Sequence, residues 1–216
     1  MATASPTRLT PRKSPRQARA TATLEAILEA TIQVLVVTGP ARLTTTRVAE
    51  RAGVSVGTMY QYFPNKQALM YAVTEQYLGI VADSVEQACR QHHGAPIGQM
   101  AEALVEALWH ANVVRCDATR ALYLVAAEVD TAALVEHFFK RVEIATAAMF
   151  ATAADAEFVD LAIVNLTLLN SLFGTIRSLF DRSLPKPWAC GLQQQLIFMS
   201  RSYLEAAKTP FPAAAS

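Results

Sequence analysis

Ten residues between Thr44 and Lys66 carry the surface chemistry of this chain. Thr44, Thr45, Ser55, Thr58, Tyr60, Gln61 and Tyr62 bring hydroxyls, phenols and an amide, Val56 and Gly57 are small, and Lys66 is a cation. Hydroxyls and free backbone N–H groups can hold phosphate oxygens. Thr and Gln can hydrogen-bond to base edges, and an apolar group can meet a thymine methyl. The chemistry on offer is recognition of a nucleic acid.

Those side chains are useful only if the backbone presents them together. The stretch TTTRVAERAGVSVGTMYQYFPNKQAL, from Thr44 to Leu69, reads as a short helix, a tight turn, a second short helix and the start of a third. Val48 and Ala49 form the first helix's apolar face, and Gly53 suits a turn that needs positive φ. Ser55 can cap the second helix by accepting from a free N–H. Pro64 ends that helix, and Asn65 can cap the third. Lys66 stands in the third helix's first turn, where a cation opposes the macrodipole. An external anion such as a DNA phosphate would account for it. A helix-turn-helix puts its second helix in the major groove with its N-terminal residues at base edges. A plain helical hairpin with half-buried tyrosines satisfies the same periodicity.

The stretch resembles the DNA-binding head of the TetR family of transcriptional regulators, whose pattern is roughly T-x-x-x-I-A-x-x-A-G-V-S-x-G-T-L-Y-x-Y-F-x-x-K-x-x-L. Thr44, Val48, Ala49, Ala52, Gly53, Val54, Ser55, Gly57, Thr58, Met59, Tyr60, Tyr62, Phe63, Lys66 and Leu69 stand in matching places. Val48 replaces Ile and Met59 replaces Leu, both keeping apolar character. The resemblance is sharp over about residues 21–77 and architectural beyond. It implies an all-α chain: a three-helix DNA-binding head followed by a helical ligand-binding and dimerisation domain. It also implies a bacterial, cytoplasmic protein, associated with the nucleoid while bound to DNA.

Charge is distributed to suit that reading. Residues 1–66 hold nine Lys and Arg against three Glu, a net +6, which leaves −5 for residues 67–216 from the whole-chain +1. A basic head on an acidic body fits a nucleic-acid binder whose body stays off the DNA. Hydrophobic content of 52% is enough for a large core and a buried subunit interface. Cys89, Cys116 and Cys190 are widely spaced, with no CxxC, which argues against a disulfide framework or zinc finger and fits a reducing compartment. They read as buried, inert thiols. The Pro- and Arg-rich N-terminus has no apolar h-region of a secretory signal. The charge-free run Leu161 to Ile176 is too short and too polar for a membrane span.

In chain order, residues 1–20 are expected to be a disordered basic arm, touching DNA or serving only as a solubilising tail. The head is assigned to residues 21–66 and the regulatory and dimerisation domain to 67–216. Leu24, Ile27, Leu28, Thr31, Ile32, Leu35 and Val36 form one helical stripe from Thr21 to Gly39. A long helix from Asn65 to about His92 is the one element continuous between head and body. Helices follow at about 96–113, 117–128, 131–153, 156–182 and 188–207. The last two are apolar on most sides and so need burial on most sides. Leu168, Leu172, Ile176, Leu179, Leu192, Leu196, Met199 and Tyr203 are the expected homodimer interface. A pocket for a small effector is expected among Met100, Leu104, Trp109, His110, Tyr123, Phe138, Met149 and Asn170, with Asn112 as a further polar candidate.

Catalytic, metal and cofactor chemistry find no motif: there is no ExxH pair, HExxH, GxSxG or phosphate-cradling glycine loop. The resulting expectation is a non-enzymatic regulator bound to a near-palindromic operator. Thr44, Thr45, Ser55, Tyr62 and Lys66 would anchor phosphates, while Val56, Gly57, Thr58, Tyr60 and Gln61 would meet bases. It would be a repressor released by a small, largely apolar effector. The alternative is a helical DNA-binding scaffold controlled by a protein partner, with no small-molecule effector.

Overall fold

The computed structural model describes the backbone of residues 15–182 and 186–209. Those residues form α1 (Pro15–Thr38), a 3-10 turn (Pro40–Arg42), α2 (Thr45–Ala52), α3 (Val56–Tyr62), α4 (Lys66–Gln91), α5 (Ile97–Val113), α6 (Cys116–Val125), α7 (Ala132–Phe150), α8 (Leu161–Asp181) and α9 (Lys186–Ala207). The fold is all-helical, as expected. One departure comes at the start. Helix α1 begins at Pro15 rather than Thr21, so the last six residues of the expected disordered arm are helical. Proline suits a first helical turn, and Ala18 and Ala20 are strong helix formers. The rest of the arm lies outside the described residues.

Two apolar cores organise the chain. The head core joins Ile27, Leu28 and Leu35 of α1 to Val48 and Ala49 of α2, Met59 of α3, and Leu69, Met70 and Val73 of α4. It also takes in Ala118, Ala121, Leu122 and Val125 of α6, from the middle of the chain. The body core is built from the distal part of α4 together with α5, α7, α8 and α9. The boundary expected after residue 66 therefore crosses one core: the first two turns of α4, and one face of α6, pack with the head. On α1 the expected stripe is buried except Leu24, which is half-buried, and Val36, which is 42% exposed, while Ala30 and Val34 are buried in addition.

Differences in helix ends have local causes. The segment before α8 does not continue as helix from 156, because it is used for tertiary hydrogen bonds. An Asp155 carboxylate oxygen accepts from the Ile97 N–H at 2.7 Å and so caps α5, Thr209 N–H donates to Glu157 O at 2.8 Å, and Ala156 is buried. Asp160 then caps α8 by accepting from Ile163 N–H at 3.1 Å. Helix α6 ends at Val125, after which Asp130 turns the chain by accepting from Ala132 N–H. By length and composition alone, Gln17–Thr38 and Leu161–Asp181 are long and apolar enough to cross a membrane, so the expected length limit on the second does not hold. Each nevertheless packs one face into a core.

Candidate nucleic-acid interface and body cavity

Three helices of the head each start on a side-chain cap. Thr44 accepts from Arg47 N–H at 3.3 Å, Ser55 from Thr58 N–H at 3.0 Å, and Asn65 from Ala68 N–H at 2.9 Å. Between the first two helices Gly53 takes φ 68, the left-handed conformation that glycine adopts without penalty. Its N–H closes α2 on the carbonyls of Ala49 and Glu50. The turn angle between α2 and α3 therefore follows from local chemistry, with Met59 fully buried as the pin of α3.

Pinning Met59 inward turns the neighbouring positions outward. Val56 is 38% and Tyr60 53% exposed, and Gly57 and Gln61 are exposed with them. Thr58 is half-buried, its hydroxyl 2.9 Å from that of Ser55. The Tyr60 phenol lies 3.3 Å from the Thr45 hydroxyl, tying the start of α2 to the outer face of α3. Tyr62 packs its ring partly on the head core, and Lys66 sits half-buried at the start of α4. Gly57 is informative. A Cβ there would meet only Ser55 Oγ, at an ordinary 3.7 Å, so nothing inside the protein requires glycine in α3. Glycine in a helix costs about 1 kcal/mol relative to alanine. The open backbone it leaves faces outward, where a base edge or phosphate can approach.

The body holds a small cavity of about 100 Å³, lined by Thr74, Tyr77, Leu78, Val81, Asn112, Thr119, Leu122, Tyr123, Ala126, Thr131, Val135, Phe138 and Phe173. Tyr123 and Phe138 were expected there. Met100 and Leu104 are instead fully buried core residues away from it, because α5 turns that face toward α4 and α9, and Met149 on α7 is fully buried outside the cavity lining. Trp109 is buried in the same core. His110, one residue on, points out to an open groove of about 420 Å³ between α1 and α4–α6. Asn170 is exposed on the outer side of α8.

Polar groups converge at one end of the cavity. The Tyr77 hydroxyl donates to Asn112 Oδ1 at 2.7 Å, with Thr119 Oγ1 at 3.1 Å; Thr119 in turn donates to Asn112 O at 2.8 Å. Burial raises the pKa of Tyr77 well above the ordinary phenol value, and Tyr123 is raised for the same reason. Tyr77 and Thr119 were not singled out in sequence. Tyr77 sits in an apolar stripe and Thr119 is an unremarkable helix residue; only folding sets them beside Asn112, 35 and 7 residues away.

The expected dimer surface also needs correction. Leu168, Leu172, Ile176, Leu179 and Leu196 are between 0 and 7% exposed, covered by the subunit's own core. Leu192 and Tyr203 are half-buried against that core, leaving Met199, at 37%, as the one expected residue that faces out. The outward apolar residues of α8 and α9 are Ile163, Leu166, Trp188, Phe198 and Met199. Periodicity identified helices apolar on more than one side, but not which side the subunit covers itself.

Comparisons with known proteins agree with the head and the fold. Residues 27–73 match the family model described as bacterial regulatory proteins, tetR family. No curated protein matches the chain by sequence. Among solved structures, the fatty acid degradation regulator FadR of Bacillus halodurans superposes with a TM-score of 0.67 at 14% identity, over 82% of this chain and 97% of that one. The TetR-family transcriptional regulator PfmR of Thermus thermophilus gives 0.61 at 16% identity, over 83% and 97%. A tetR-family transcriptional regulator of Streptomyces coelicolor gives 0.63 at 17%, over 84% and 82%. At these identities the structures speak for the fold, and the family match speaks for the head. Residues 27–73 thus match the head of the bacterial tetR-family regulatory proteins, and the chain's fold is similar to that of solved TetR-family transcriptional regulators.

Proposed function

We propose that the chain is a homodimeric, cytoplasmic repressor released from a near-palindromic operator by a small, largely apolar effector. The observation that carries the DNA reading is the outer face of α3: Val56, Gly57, Tyr60 and Gln61 stand exposed while Met59 anchors the helix. Val56, Gly57, Thr58, Tyr60 and Gln61 would read bases, and Thr44, Thr45, Ser55, Tyr62 and Lys66 would position the head on phosphates. Residues 15–73 with α6 would act as the head unit, the rest as the regulatory unit.

Dimerisation is assigned to the outward faces of α8 and α9 rather than to the residues first expected. The hydroxyls of Thr167, Ser171 and Thr175 donate to carbonyls one turn back in α8, which lets that side be covered without stranding polar groups. Phe198→Asp should yield monomers, whereas Leu172→Asp should unfold the subunit. Sedimentation and circular dichroism separate the two, and a folded dimer of the Phe198 variant would refute the assignment.

The effector would enter the cavity at Tyr123 and Phe138, its polar group meeting the Tyr77–Asn112–Thr119 cluster. About 100 Å³ is well under the volume of a typical drug-sized ligand site, so binding must spread α6 and α7. The same small volume favours, as the second reading, a DNA-binding scaffold run by a protein partner. Selection of bound duplexes from a random pool decides the first step. One near-palindrome with half-sites about 34 Å apart is expected; sequence-blind, salt-sensitive binding alone would overturn the operator reading. On the selected duplex, Gln61→Ala should cost about 1–3 kcal/mol and relax one position, while Lys66→Ala should weaken all sequences alike and reduce the salt slope by about 1. Equal, sequence-blind losses would sink the division of roles. Screening apolar compounds for release of that duplex then separates repressor from scaffold.

A further inference from the structure

Helix α4 is the covalent link between head and body; a second link, from the helix-turn-helix to α6, runs across the surface. Arg51, in the last turn of α2, donates through Nε to Gln33 Oε1 at 2.6 Å. Gln33 Nε2 donates to Glu29 Oε1 at 3.0 Å, one turn earlier on the same face of α1. Arg115, just before α6, grips both Glu29 oxygens at 2.9 and 3.0 Å. Three stretches of chain, 18 and 86 residues apart, are thus joined in one row.

The polarity of the row is specific. Between a guanidinium and a carboxylate the connecting side chain must accept on one side and donate on the other. An amide does both, and neither a carboxylate nor an alkyl chain does. The Arg115 fork also holds the Glu29 carboxyl below its usual pKa, so the acceptor stays charged. Both partners are about half-exposed. An exposed pair of this kind adds little to global stability, so what the row supplies is orientation.

We propose that Arg51–Gln33–Glu29–Arg115 couples the helix-turn-helix to α6, with Gln33 and Glu29 as positioning residues that set how α2, and with it α3, sits against α1 and α6. Helix α6 is the sensitive end of this row, because Thr119, Leu122 and Tyr123 on it line the body cavity while Arg115 precedes its first turn. Displacement of α6 draws Arg115 away from Glu29 and releases Arg51 two links further on. Its consequence for operator binding rests on the regulator reading above; the coupling itself does not.

The test is amide hydrogen exchange of the full chain, wild type against Arg115→Ala, Gln33→Leu, their double variant and Gln33→Glu. Each single change should speed exchange across residues 45–62 by about threefold or more, with the double no worse than the stronger single, because both cut the same row. Gln33→Glu keeps size and the acceptor for Arg51, adding a charge there, but sets a carboxylate against Glu29, so it should behave like Gln33→Leu. Additive effects, a response to Arg115→Ala confined to α1 and α6, or a wild-type-like Gln33→Glu would each overturn the proposal. Since no DNA is needed, failure of operator selection and failure of this coupling are separate results.

Discussion

The head and the body are packed by the same kind of helix-on-helix contact, yet they place their polar residues oppositely. In the helix-turn-helix, the helix starts are satisfied locally, by caps within three residues, and further polar groups are turned outward on α3. In the body, the informative polar groups turn inward and are satisfied by partners from other helices, as at Tyr77, Asn112 and Thr119. Local satisfaction leaves a sequence signature at short spacing, and long-range satisfaction leaves none. The comparison has one exception that makes it useful. Helix α6 lies in the body by sequence, but its Ala118, Ala121, Leu122 and Val125 pack in the head core, while Thr119 and Tyr123 line the body cavity.

The sharpest way to break that comparison is to remove the α6 contribution to the head. Leu122→Ala should cost about 2–5 kcal/mol, and amide exchange should rise in α1–α3 more than in α8 and α9. A loss confined to α7–α9 would return α6 to the body. Next in size, Tyr77→Phe should destabilise by about 1–3 kcal/mol, since it takes away the phenol that donates to Asn112 Oδ1. Thermal unfolding of the variant, with head exchange unchanged, would show the inward network working as a body feature.

Gly57→Ala sharpens the outward side. Because a Cβ there fits and the helix gains from alanine, the head should become more stable by about 0.4–1 kcal/mol, while binding to the selected duplex weakens. Unchanged affinity would mean that no ligand comes close to this backbone.

The smallest effect concerns cysteines. Burial pushes the Cys89 thiol up to about 12 from an ordinary 9. The unfolded chain therefore loses this proton first, and the contribution of Cys89 to stability, full below pH 9, is lost as pH rises toward 12. Cys89→Ala should flatten stability over that window, measured by denaturant midpoints. Cys116, expected to be a buried thiol, is exposed beside Asp117, since it opens α6 at a surface break. Alkylation at neutral pH should mark Cys116 well before Cys89.

How much was legible follows from these distances. Thr44, Gly53, Ser55, Pro64 and Asn65 announce caps and turns within a few residues, so the head's outline could be read directly, as could the long α4. The start of α1 was read six residues late because an Arg-rich stretch without apolar periodicity can still be helical. Asp155 falls between two expected helices, and nothing near it in sequence shows that its carboxylate caps a helix 58 residues away. Leu168, Leu172 and Ile176 were assigned to a partner because a helix apolar on several sides does not state which side its own subunit covers.

By itself the sequence determined the all-helical composition, the capped helix-turn-helix and the basic head on an acidic body. These depend on propensity, capping and charge, which act over one or two helical turns. Only the tertiary structure decided that α6 joins the head core, that Tyr77 meets Asn112 and Thr119, and that Arg51 reaches Arg115 through Gln33 and Glu29. Those pairings arise when distant helices bury their apolar faces together, and that packing sets which polar side chains are left within hydrogen-bond reach.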